Sequence, residues 1–248
     1  MMQLYGLVIA YTENLGDDIQ SLAALQYLPF VNFFLDRDRP YVKGVSGKAI
    51  FNGWYTHEPF QWLPPPNVEP LFISLHLADF AYPILLSRSV VRRVFMRFGH
   101  VGARDLFTLG VLKTYGIASY FSGCLTLTLD YGFKSLKAKG RYILIDDVIG
   151  GLFTSDKSNI RFATQAYHKT PMDYIRLLPG FVRRPLRDII PYALIDNVNY
   201  RLQRILARRY DVASRLVKAM RRVAEIAGAS LVVTSRLHVA LPALAFDV

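Results

Sequence analysis

The chain has 248 residues, of which 52% are hydrophobic and 20% charged, so it can bury a core of one large or two small domains and cannot be wholly disordered. Lysine and arginine together number 30 against 19 aspartates and glutamates, and the net charge of +11 favours an anionic partner. The single cysteine, Cys124, excludes an internal disulfide and a cysteine-based zinc site.

The sequence predicts neither a membrane span nor a signal peptide. No uncharged apolar run approaches the roughly 18 residues that a spanning helix needs. The first residues contain no basic segment and soon reach Glu13 and Asp17. We therefore expect a cytoplasmic protein.

The first half of the chain alternates short apolar runs with amphipathic segments. Strands are predicted at 4–11, 31–38, 48–55, 70–77 and 100–105, followed by an extended segment at 118–129. Helices are predicted at 17–28, capped by Asp17 or Asp18, at 82–98, and at 105–115 before Gly116.

The same pattern restarts in the second half. Residues 130–141 have glycines, lysines and no clear period, which is typical of a linker. Strands are predicted at 141–147, 160–167 and 230–235, a broken helical region at 171–227, and a helix from Arg236. This alternation predicts an α/β fold with mostly parallel sheets, divided into domains 1–132 and 133–248.

The positive charge is concentrated near the carboxyl terminus. Residues 181–229 contain eleven basic and four acidic side chains, a local charge of +7. A solvated helical face explains this as well as a nucleic acid, an anionic membrane surface or a phosphorylated small molecule does.

The segment SLVVTSRLHVALPALA (230–245) is the strongest candidate site. A buried strand is predicted to deliver Ser235, Arg236 and His238 to its carboxyl end, where ligands bind in open α/β sheets. The helix start offers free backbone N–H groups, Arg236 can clamp an anion, and His238 can titrate near neutral pH. A capped helix with an ordinary surface arginine is the competing interpretation.

Two further strand–helix junctions carry polar residues. Arg104 lies at such a junction, as Arg236 does, and Asp105 can cap the helix that follows or pair with Arg104. In NLGDDIQ (14–20), Asn14 lies in the turn after the first strand and Asp17 opens the first helix, and both are candidate substrate-binding residues. Carboxylates at this helix start would suit sugar hydroxyls better than phosphate, although helix capping alone explains them. The motif is not a dinucleotide fingerprint.

The five histidines show no metal-binding spacing, so we expect no metal. His76 and His168 each end a predicted strand and could face the same cleft as His238, while the roles of His57 and His100 stay open. Cys124 is expected to be a buried small hydrophobe rather than a nucleophile.

Two long motifs, GARDLFTLGVLKTYGIASYFSGCLTLTL (102–129) and VVTSRLHVALPALAF (232–246), resemble the polysaccharide pyruvyl transferase family. The opening N-x-G-D-D-x-Q (14–20) and the segments NGWY (52–55) and FISLH (72–76) are also similar to that family. The resemblance implies two Rossmann-like domains in a glycosyltransferase B-like architecture. Because the family continues beyond the S-R-L-H helix, we expect the second domain to be incomplete.

The resemblance also implies the chemistry. The family forms pyruvate ketals on polysaccharide sugars from phosphoenolpyruvate as the donor substrate, without a further cofactor. It implies that Arg104, Arg236, Leu237 and His238 bind the donor and that His76 contributes. The partners would be phosphoenolpyruvate and a sugar acceptor, lipid-linked or free, with no nucleic acid. The +7 charge of residues 181–229 separately predicts peripheral contact with the inner, anionic face of the membrane.

Two other classes of function remain open from the residues. A basic binding protein would use the arginine-rich segment as one convex stripe for a membrane surface or nucleic acid. A sugar-nucleotide glycosyltransferase would share the same fold. Convergence of Arg104, Arg236 and His238 in one cleft would favour the pyruvyl transferase.

Overall fold

A computed structural model describes residues 2–137, 140–147, 159–166, 200–202 and 204–248. The predicted helical segment 171–199, the histidine His168 and the basic residues Arg183, Arg184 and Arg187 lie outside these ranges. Among the described residues, no helix combines the length and the apolar character required to span a bilayer.

The first sheet has six parallel strands in the order β2-β1-β3-β4-β5-β6. The strands are β1 (Tyr5–Ile9), β2 (Phe33–Asp36), β3 (Gly47–Tyr55), β4 (Val68–Leu77), β5 (Val101–Ala103) and β6 (Ser119–Phe121). The chain runs from β1 outward to β2 and then returns past β1 to β3, so the strand order reverses between β1 and β3. In doubly wound sheets such a reversal marks the crevice where ligands bind.

Helices cover both faces of this sheet. They are α1 (Leu15–Leu25), α2 (Tyr82–Ser87), α3 (Ser89–Phe98), α4 (Leu106–Thr114) and the short α5 (Leu129–Phe133). Val8 packs in the cluster that contains α2, α3 and α4, whereas Leu7 and Ile9 pack in the cluster that contains α1. Neighbouring residues of β1 thus serve opposite faces, as the two-residue period of a strand requires.

The second sheet has three described parallel strands in the order β8-β7-β9. Its strands are β7 (Ile143–Asp146), β8 (Ile160–Ala163) and β9 (Leu231–Thr234), and helices α6 (Val212–Ala227) and α7 (Leu237–Ala245) flank β9 in sequence. The α/β class and the parallel sheets are confirmed. The division at residue 132 and the glycosyltransferase B-like architecture stay predictions.

Helix α6 packs against both halves of the chain. Ala219 and Val223 join the core formed by α1 and β1, while Ile226 joins the core beneath the second sheet. Arg215 of α6 is fully buried, with Nη2 2.9 Å from Oδ2 of Asp18 in α1. This ion pair and the shared apolar core hold α6 against the start of α1.

Several local predictions were wrong. The predicted helix 82–98 is two helices, because Arg88 adopts an extended conformation with ψ 111°. The extended segment 118–129 ends at Phe121 and continues as a 3-10 helix at Leu125–Thr128. The predicted linker begins with α5 and a second 3-10 turn, Lys134–Leu136. Helix α1 starts earlier than predicted, with Asn14 rather than an aspartate as its cap.

Candidate active site

Arg104 and His238 meet although they are 134 residues apart in the chain, with Nη1 of Arg104 3.4 Å from Nε2 of His238. Arg104 directly follows β5, and His238 lies in the first turn of α7, after β9. A guanidinium can only donate, so Nε2 of His238 accepts, and the proton of the neutral ring is on Nδ1. The contact joins the carboxyl ends of strands from both sheets.

The start of α1 completes this junction. Asn14 caps the helix, with its Oδ1 accepting from the backbone N–H of Gly16 at 3.0 Å. A Cβ atom on Gly16 would lie 3.0 Å from Cβ and 3.1 Å from Nδ1 of His238, so glycine permits the close approach. The amino termini of α1 and α7 therefore converge beside Arg104, an arrangement that favours an anion.

Gln20, in the second turn of α1, orients Arg104. Its Oε1 accepts from Nη1 of Arg104 at 3.2 Å, while its Nε2 donates to Oδ1 of Asp17 at 3.1 Å and to the carbonyl of Gly16 at 3.3 Å. Gly53 lies beneath it with φ +104°, and a Cβ there would be 3.1 Å from the same Oε1. The glycine of the NGWY segment thus leaves room for Gln20.

Asp17 was predicted to contact substrate hydroxyls, and the structure places it facing inward, 8% exposed. Its Oδ2 accepts from Oγ1 of Thr12 at 2.6 Å, and its Oδ1 is 3.1 Å from Nη1 of Arg37. Arg37 is buried and also pairs with Asp38 at 3.1 Å. Asp17 therefore holds a buried network behind Gln20.

The S-R-L segment lies against a second turn, at the end of β7. Nε of Arg236 donates to Oδ2 of Asp147 at 2.9 Å, and Oγ of Ser235 donates to the Asp147 carbonyl at 2.8 Å. Asp147 has φ +49°, a conformation that non-glycine residues adopt rarely. Arg236 is anchored through Nε while its side chain stays 42% exposed, and Leu237 is exposed.

His76 forms a dyad with Asp105, whose Oδ2 lies 2.6 Å from the histidine Nδ1. Asp105 also caps α4, with Oδ1 accepting from the N–H of Thr108 at 2.8 Å. These hydrogen bonds, outweighing the effect of burial, lower the pKa of Asp105 and keep it ionised. The carboxylate fixes the proton of His76 on Nδ1 and leaves Nε2 as the basic atom.

His238 is neutral at neutral pH in the unliganded protein. Burial is the largest cause that lowers its pKa, to about 4, and the positive charge of Arg104 acts in the same direction. An anion bound at Arg104 would offset that charge and raise the pKa of His238 again. The residue is therefore suited to take up a proton when an anionic ligand arrives.

The structure shows partners that the sequence analysis missed. Gln20 and Asp147 are polar residues directly beside predicted site residues, and the two carboxylates that end the strand RYILIDD are a sequence signal for the second. The first of these two carboxylates, Asp146, has its own partner, since its Oδ2 lies 3.2 Å from Nη1 of Arg222. Burial raises the pKa of Asp146 to about 6. Nothing in the local sequence indicates that Gln20 reaches Arg104.

Three arginines of the basic segment form ion pairs inside the fold. Arg204 pairs with Asp36, Arg215 with Asp18, and Arg222 with Asp146. Within the described part of this segment, the exposed cations are Arg201, Arg208, Arg209, Lys218 and Arg221. Three cations of the +7 stretch thus serve the interior of the fold and are not available to an external partner.

The structure also places His57, His100 and Cys124, to which the sequence assigned no role in the site. His57 stacks on Tyr200 with ring centroids 4.1 Å apart, His100 is exposed, and Cys124 is buried as predicted. Within the described ranges, no group of three or more histidine, cysteine or acidic residues is placed to hold a metal ion.

The comparisons with known proteins identify the family. The family model for polysaccharide pyruvyl transferase matches residues 14–248, and the chain belongs to that family. No curated protein and no solved structure matches it significantly. The matched region includes Arg104, His238, Gln20, His76 and Arg236.

Proposed function

We propose that this member of the polysaccharide pyruvyl transferase family transfers the enolpyruvyl-derived group of phosphoenolpyruvate to two hydroxyls of a surface-polysaccharide sugar. The product is a pyruvate ketal and inorganic phosphate, and the reaction requires no metal or other cofactor. The contact between Arg104 and His238 at the converging starts of α1 and α7 carries the proposal. It joins a cation, helix N-termini and a titratable group at one place.

The donor would bind through its charges. Phosphoenolpyruvate carries a carboxylate and a phosphate on a small skeleton, and two guanidinium groups suit such an ion. Arg104 is oriented by Gln20, and Arg236 is anchored through Nε by Asp147, which leaves its terminal nitrogens for the ligand. Ser235 and Leu237 flank Arg236 and complete the predicted donor site.

Two histidines would then move the protons. His238, protonated once the anionic donor has bound, gives a proton to the methylene carbon of the donor, and positive character develops at C2. His76 removes the proton of the first acceptor hydroxyl, whose oxygen forms the bond to C2. The second hydroxyl then displaces phosphate, which leaves with that hydroxyl's proton.

The alternatives receive less support. A basic binding protein would rest on the arginine-rich segment alone, and three of its described cations, Arg204, Arg215 and Arg222, form internal ion pairs instead. A sugar-nucleotide glycosyltransferase shares the fold class, but the family match is to pyruvyl transferases.

Phosphate release from phosphoenolpyruvate, measured with a panel of acceptor sugars, tests the proposal. We expect acceptor-dependent release in the wild-type protein and a product mass that corresponds to a ketal. Arg104→Lys keeps the charge and loses the planar fork, so the donor KM should rise by about tenfold or more. Arg93→Lys, on the exposed surface of α3, is the matched control and should behave as wild type. Acceptor-independent release, or none with any acceptor, would contradict the proposal.

We also propose a cytoplasmic enzyme that contacts the anionic inner face of the membrane, where lipid-linked acceptors lie. The exposed cations Arg201, Arg208, Arg209, Lys218 and Arg221 support it, since each surface cation contributes about 1 kcal/mol at an anionic membrane. Co-sedimentation with vesicles should increase with anionic lipid, decrease with salt, and decrease about fivefold for Arg209→Ser. Binding that ignores both lipid charge and salt would refute membrane contact.

A further inference from the structure

Aromatic rings line the carboxyl ends of β3 and β4. Trp54 is the penultimate residue of β3, and Phe80 follows β4 by three residues. Their ring centroids are 5.8 Å apart, and the centroid of His57 is 4.4 Å from that of Trp54. Phe80 is 50% exposed and Trp54 is partly exposed, so the group presents aromatic surface to solvent.

This aromatic surface begins beside the His76–Asp105 dyad. Trp54 is the register partner of His76 on the neighbouring parallel strand. Register partners in a sheet lie about 5 Å apart and project from the same face. A ring stacked on Trp54 would therefore have its edge near the imidazole of His76, whose Nδ1 is occupied by Asp105.

The protein interior holds Trp54 in place. The guanidinium carbon of Arg37 lies 5.4 Å from the centroid of the Trp54 ring. Arg37 is itself fixed by Asp17 and Asp38, each at 3.1 Å. The other tryptophan, Trp62, is fully buried and stacks on Phe95 in the core. Trp54 is thus pre-ordered but not enclosed, which lowers the entropy cost of binding a ligand.

We propose that Trp54 and Phe80 form the acceptor subsite and stack on the C–H face of a hexopyranose ring. Aromatic faces carry negative electrostatic potential and attract the weakly positive C–H groups of a sugar, while its hydroxyls stay free at the ring edge. The platform directs one of those hydroxyls to Nε2 of His76. The assignment of this sugar as the acceptor rests on the proposed function, whereas sugar binding itself does not.

Sugar binding without donor tests the platform directly. Methyl β-galactoside and methyl β-glucoside are the probes, because neither carries a second aromatic or charged group. Since Trp62 is buried, the fluorescence response of the wild type should come from Trp54 and disappear in Trp54→Phe. Saturation-transfer NMR should still detect glycoside binding to that variant, because phenylalanine keeps an aromatic face.

Alanine variants measure the contribution of each ring. Trp54→Ala and Phe80→Ala should each raise the glycoside Kd about tenfold, the usual effect of losing one aromatic stacking partner. Phe34→Ala removes a similarly exposed phenylalanine, 46% exposed on β2, and should leave the Kd unchanged. Thermal unfolding of all variants separates loss of binding from loss of fold.

The outcomes separate the platform from the transferase reaction. If neither glycoside binds the wild type, or if both folded alanine variants keep its Kd, the platform is refuted, even if phosphate is released normally. If the alanine variants lose glycoside binding while phosphoenolpyruvate is never consumed, the platform stands and the proposed reaction falls.

Discussion

Replacing His238 with alanine is expected to lower kcat by about 100-fold or more, the usual loss when a general acid is removed. The imidazole lies 3.4 Å from Arg104, at the convergence of two helix starts, where the proposed donor binds. The donor KM should change less than kcat, because the guanidinium groups of Arg104 and Arg236 remain. Steady-state kinetics with phosphoenolpyruvate varied at saturating acceptor measure both constants.

The pH profile distinguishes proton transfer from a structural role of His238. Burial and Arg104 lower the pKa of the free residue to about 4, and the anionic donor is expected to raise it. At saturating donor, kcat should therefore fall as pH rises through the higher pKa of the complex. This alkaline limb should be absent from His238→Ala and present in His100→Ala, which removes an exposed histidine. A folded His238→Ala enzyme with near-normal kcat would exclude the histidine from the mechanism.

The sequence predicted the parts of the site that follow from local pattern. Arg104 and His238 each come just after a short apolar run and at the start of a helix. Parallel strands place each position at the carboxyl edge of its own sheet. Because β5 and β9 belong to different sheets, the contact between Arg104 and His238 itself depends on how the two sheets pack. The strands themselves were recognisable because buried parallel strands are continuous apolar runs.

The sequence could not predict contacts that depend on long-range packing. Arg215 lies on a helix with many cations, and its burial against Asp18 depends on a partner 197 residues away. Asp17 was interpreted as a substrate ligand because its position at a helix start is all that the local sequence shows, whereas the structure places Arg37 beside it. The break at Arg88 was missed because residues 84–98 contain no glycine or proline, the usual signals that end a helix.

Gln20→Glu is expected to raise the donor KM by about 10- to 100-fold with a smaller change in kcat. The substitution would place a carboxylate where Oε1 of Gln20 now accepts from Arg104 at 3.2 Å. An internal anion at that distance competes with the donor for the same guanidinium. The new carboxylate would also lose the hydrogen bond that Nε2 donates to Asp17, which adds repulsion within the buried network.

Two comparisons make this result specific to Arg104. Gln20→Met keeps the length of the side chain and adds no charge, so it should raise the donor KM less than the glutamate variant does. Gln26→Glu places the same new charge at the other end of α1, where Gln26 contacts Thr128 and Gly132, and should leave the donor KM unchanged. Urea unfolding establishes that each variant is folded. A folded Gln20→Glu enzyme with the wild-type donor KM would mean that the donor does not bind at Arg104, because an anion could not share that guanidinium with a carboxylate without losing affinity.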